Sequence, residues 1–78
     1  MWWAFTMDGL VARKRTKKEL LRHIGVRKVK RKQAGVYHTR MTSRDYTWEV
    51  FIYNDIKHVI QDGFEWALEE VDRKTSEF

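Results

Sequence analysis

The chain opens on an apolar run, WWAFTM, meets Asp8-Gly9, and continues as LVARKR. An Asp-Gly pair between two such runs is the strongest short hairpin signal, because a type I′ turn needs two residues that tolerate positive φ. Residues 2–7 and 10–15 are therefore expected to form a β-hairpin; the alternative is one irregular apolar tail docked on the core. Thr16-Lys17-Lys18-Glu19 matches a capping box, in which Thr accepts from a backbone N–H and Glu reaches back. Leu20, Leu21 and Ile24 then make one apolar stripe and Gly25 supplies a stop, which predicts a helix over 17–24 and gives Glu19 a structural role. Residues 26–34 keep only Val26 and Val29 as larger apolar positions and read as an edge strand or a mobile loop.

After Gly35, VYHTRMT and YTWEVFIY predict two strands joined around Ser43-Arg44-Asp45. Two registers compete. Pairing Thr42 with Tyr46 mixes Glu49 into the face that holds Tyr37, Met41 and Phe51. Pairing Ser43 with Tyr46 sets Met41 against Trp48, Thr39 against Val50 and Tyr37 against Ile52, with Arg40 opposite Glu49 as an opposite-charge pair; this register is preferred. Asn54 or Asp55 can cap a last helix whose apolar positions are Ile56, Val59, Ile60, Phe64, Ala67, Leu68 and Val71. Gly63 on the same stripe either admits a bulky sheet residue or kinks that helix. The expected architecture is α+β, a small antiparallel sheet with helices packed on one face, in ββα-ββα order, as a single domain over 1–78.

Size and composition narrow the picture. A chain of 78 residues buries roughly 60–65% of its unfolded surface, so its stability is expected to be marginal. Four Trp, four Phe and three Tyr still supply a core, which separates the chain from disordered sequences. It has no cysteine, so disulfides and thiolate metal sites are excluded. His23, His38 and His58 stand far outside zinc-ligand spacing, and no metal or cofactor is expected. The first apolar run is too short for a signal peptide or a spanning helix, so the expectation is a soluble cytoplasmic protein, complete from its initiator Met.

Charge changes the picture most. Residues 13–32 carry eleven Lys or Arg against Glu19 alone, net +10, while the other 58 residues carry five cations and ten anions, net −5. Such segregation points to an interaction surface. A basic run can track phosphates, and each phosphate neutralised releases counterions. The candidate residues are Arg13, Lys14, Arg15, Lys17, Lys18, Arg22, Arg27, Lys28, Lys30, Arg31 and Lys32, joined by Arg40. The plainer reading is a solvated face that offsets the acidic last helix. The preferred register also gathers His38, Arg40, Thr42, Glu49, Phe51 and Tyr53 on one sheet face. Aromatics beside Arg suit a stacking platform for unpaired bases, unless the first hairpin, with Trp2, Trp3 and Phe5, packs over that face and makes it core. Trp66, just off the last stripe, is either a partner anchor or a cover for the core edge. The four glycines are isolated and the carboxylates fall at turns, caps and helix surfaces, so no enzyme is expected.

Residues 35–41, GVYHTRM, resemble the G-x-[WY]-x-x-R-aliphatic strand of AP2-like DNA-binding domains and some phage integrase arm-binding domains, and FEWALEEVDRK resembles their helix. The likeness covers about half the chain and departs at YTWEVFIYNDIKHVIQDG, longer than the usual link. The resemblance implies a three-stranded sheet in the DNA major groove with a helix behind it. Size, single-domain build and basic charge suit a small accessory protein of a phage or mobile element. The leading expectation is thus a non-catalytic protein that binds DNA or RNA. The alternative is a small inhibitor or adaptor that docks on an acidic host protein through the same segment. Membrane contact through Trp2, Trp3 and Phe5 ranks third. Self-association between the basic segment and the acidic helix is a further expectation.

Overall fold

The computed structural model describes residues 1–68. Five strands, β1 (Trp2–Thr6), β2 (Gly9–Lys14), β3 (Lys30–Gln33), β4 (Val36–Thr42) and β5 (Thr47–Tyr53), form one antiparallel sheet in the order β2-β1-β5-β4-β3. Helix α1 (Lys17–Ile24) follows β2, and α2 (Ile56–Gln61) follows β5, with a further helical stretch entered at Glu65. The fold is α+β, but the order is not two ββα units. Residues 30–33 take the edge-strand option and pair with β4, Lys30 opposite His38 and Arg31 opposite Tyr37, which adds a strand between α1 and the last hairpin.

The helices do not share a face, contrary to the expectation. On one side Leu20 and Ile24 of α1 cover Ala4, Ala12, Val50 and Ile52, with Trp2, Val26, Val29, Tyr37 and Met41 around them. On the other, Val59, Phe64 and Ala67 cover Phe5, Val36 and Tyr53. The reason lies in WWAF and VFIY, whose consecutive apolar residues alternate across the pleat and leave both sheet faces in need of cover. Phe64 fills the second face by stacking on Phe5 at 5.0 Å and lying 5.6 Å from Phe51 and 5.9 Å from Tyr53.

The first hairpin forms with a shifted turn. Thr6 pairs with Gly9, so Met7 and Asp8 make the loop, and among the described residues only glycines have positive φ. This is not the Asp-Gly type I′ turn. Asp8 N–H donates to Thr6 Oγ1 at 3.3 Å instead, and Val11 is the extra residue of a bulge between the Ala4–Ala12 and Phe5–Leu10 pairs. The hairpin does not lie over the sheet; β1 pairs edge-on with β5, Ala4 opposite Ile52.

Helix α1 has the expected bounds, with Thr16 Oγ1 accepting from Glu19 N–H at 3.1 Å and Gly25 closing it. The β4–β5 register is the preferred one: Met41 faces Trp48, Arg40 faces Glu49, Thr39 faces Val50 and Tyr37 faces Ile52. The last helical region is capped by Asp55, whose side chain accepts from Lys57 N–H at 2.9 Å, and is interrupted rather than continuous. Gly63, at φ 84°, ends it, and the break turns Ile56 and Ile60 outward while Val59, Phe64 and Ala67 face the sheet. Leu68 is half-buried, and Val71 lies outside the described residues.

Candidate nucleic-acid interface

The basic segment of the sequence becomes a band around the sheet. Arg13 and Lys14 lie on β2, an outer strand; Lys17, Lys18 and Arg22 lie on α1; Arg27 and Lys28 lie on the link to β3; Lys30, Arg31 and Lys32 lie on β3, the opposite outer strand. Lys14 and Lys17 are half-buried, and the other nine cations of the segment are exposed. Lys17 Nζ sits 4.0 Å from the centre of the Tyr37 ring, which places it at the rim of the α1 side. Lys14, Arg22 and His23 line one shallow depression with Glu19. Among the described residues, none of the eleven cations has a carboxylate within ion-pair distance.

The sheet splits this band into two groups. Lys30 pairs with His38 and so shares its face, and Lys32 Nζ lies 5.4 Å from the centre of the Phe51 ring on that side. Arg31, opposite Tyr37, belongs to the α1 side. The α2 side therefore carries Lys30, Lys32, His38 and Arg40 together, with half-buried Phe51 at their inner edge against Phe64. Glu49 holds this patch: its carboxylate meets His38 Nε2 and accepts from Arg40 Nε at 2.8 Å. Those two hydrogen bonds, His38 first and Arg40 second, hold the Glu49 carboxyl below its ordinary 4.5. The His38 and Phe51 rings lie 5.2 Å apart, so one aromatic pair adjoins the cations.

Other residues singled out from the sequence fare differently. Tyr53 is completely buried, its ring 5.8 Å from Phe5 and its hydroxyl donating to Asp62 at 2.8 Å, so it is core and not a stacking surface. Trp66 is 46% exposed beside the buried Ala67. The sheet face opposite α2, which the AP2-like arrangement would present to a major groove, is occupied here: α1 and the link residues Val26 and Val29 pack on it. Sequence reasoning passed over Tyr46 and Trp48, whose rings lie 5.1 Å apart at the β4–β5 turn, with Tyr46 62% exposed. Their signal was two aromatics at alternate positions just after a hairpin loop that contains Arg44. Among the described residues, no cluster of three or more acidic or imidazole side chains is placed to hold a metal ion, and no helix is long and apolar enough to cross a membrane. No protein-family model, curated protein or solved structure matches this chain.

Proposed function

We propose that this chain is a small non-catalytic nucleic-acid-binding protein that contacts phosphates through residues 13–32. The observation that carries the reading is the band of eleven cations, nine of them exposed, with no carboxylate within ion-pair distance among the described residues. Each phosphate that such a cation neutralises releases condensed counterions from the nucleic acid, which drives binding. The Lys30, Lys32 and Arg40 group beside His38 and Phe51 gives the band one place where a base could rest on an aromatic while the backbone is held. Arg40 is the weaker phosphate donor there, because its Nε is committed to Glu49.

The test is a titration of labelled duplex and single-stranded oligonucleotides at two salt concentrations. The affinity is expected to fall by about 0.9 log units per log unit of salt for each phosphate neutralised on duplex DNA. Absence of binding to both probes at low salt would overturn the reading.

A further inference from the structure

The β4 strand outruns its partner. Ser43 N–H donates to the Tyr46 carbonyl at 2.8 Å and Asn54 N–H to the Gly35 carbonyl at 3.2 Å, which anchors the hydrogen-bond alternation of the β4–β5 pair at both ends. Odd-numbered residues of β4 therefore bond to β5, and Val36, His38, Arg40 and Thr42 turn their N–H and C=O groups to the other edge. β3 meets only the first two, Gln33 opposite Val36 and Lys30 opposite His38. At Lys30 the chain leaves the sheet for the α1 side, and its one tie to β4 is Thr39 Oγ1 donating to the Lys28 carbonyl at 3.0 Å. Among the described residues, no backbone group partners Arg40 or Thr42 along this edge.

We infer that this open edge, residues 39–42, is a docking site at which an extended acidic peptide adds a strand to the sheet. It shares Lys28, Lys30 and Arg40 with the proposed phosphate-binding band but draws on the backbone groups of the strand. A notch runs along the edge, lined by Val26, Lys28, Arg40, Met41 and Thr42. The sheet's other free edges are guarded, β2 by Arg13 and a bulge, and β3 by Lys30, Arg31 and Lys32. At Arg40 the side chain is drawn over the α2 side by Glu49, and residues 24–28 form the far wall of the notch.

Register defines the occupant. A residue placed opposite Arg40 shares its side of the sheet and its neighbour Lys30, so a carboxylate is favoured there. A residue opposite Met41 falls on the α1 side beside Val26, where an apolar side chain fits. The partner is thus an extended segment that alternates acidic and apolar residues. A second copy of the chain is disfavoured, because β4 against β4 brings Arg27, Lys28 and Arg40 against their own copies. Nucleic acid lacks amide donors and acceptors at strand spacing.

The experiment uses the isotopically labelled full chain and a synthetic peptide alternating Glu and Val, in two versions N-methylated on alternate residues. Arg40 and Thr42 amides are expected to shift and to gain protection from hydrogen exchange. One N-methylated version should bind about thirtyfold more weakly, the equivalent of two net hydrogen bonds, while the other binds like the parent peptide. Thr42→Pro, which removes an outward N–H and no ladder bond, is expected to fold and to lose the peptide. Equal binding by both N-methylated versions, no binding at millimolar peptide, or a folded Thr42→Pro that binds as well as the parent would each overturn the inference. So would an oligonucleotide probe that protects the same two amides.

Discussion

The Tyr53 hydroxyl donates to the Asp62 carboxylate from inside the core, and burial first, then that carboxylate, raises the phenol above its ordinary 10.0. Tyr53→Phe is expected to cost about 1 kcal/mol in urea denaturation, one net hydrogen bond. The sign with pH follows: the unfolded phenol ionises first, so stability is fully present below 10.0 and falls as pH rises beyond it. The parent should lose stability more steeply than Tyr53→Phe in that range; parallel curves would contradict the assignment. Glu49 has the opposite sign. Its depressed carboxyl stabilises the fold above 4.5, and that contribution disappears as pH falls through the lowered native value. Glu49→Gln should therefore differ from the parent in urea midpoint at neutral pH and converge with it in acid. The Arg40–Glu49 pairing was legible in the sequence because strand alternation admits few registers. The fate of Tyr53 was not, since it depended on which helix covers that side.

Among the elements, the bounds of α1 were legible because its signals are local: a Thr cap, three apolar positions and a closing Gly. Of the expected capping box, the Thr16 half forms and, among the described residues, the Glu19 reach-back does not. The last helical region was legible only in outline. Its apolar stripe assumed a continuous helix, whereas Gly63 breaks it and brings Phe64 down between Phe5, Phe51 and Tyr53. Phe64→Ala is therefore expected to cost about 3–5 kcal/mol, the scale of an emptied aromatic core site, enough to threaten so small a domain. Ile60→Ala, at an exposed position of the same stripe, should cost far less. Similar losses at both positions by thermal or urea unfolding would mean a continuous helix after all. The placement of helices on both faces needed long-range information: WWAF and VFIY announce two-sided burial, but not which helix goes where.

For the whole molecule, the sequence made the charge segregation plain but not its geometry. A run of twenty residues reads as one patch; the fold carries it from β2 across α1 to β3 and divides it between the two sides of the sheet. The β3 end is the more testable, because Lys28, Lys30, Arg31 and Lys32 are all exposed and bury little that the fold requires. Cations on phosphates position a strand without reading its sequence, so the binding energy is expected to be distributed over several of them. The most direct measurement is the salt dependence of oligonucleotide affinity for the parent and for a chain with all four replaced by Gln, each verified as folded. The expected result is much weaker binding and a shallower slope, by about 1 log unit per log unit of salt for each phosphate that is no longer neutralised. A folded quadruple variant with the parent's affinity and slope would contradict the account.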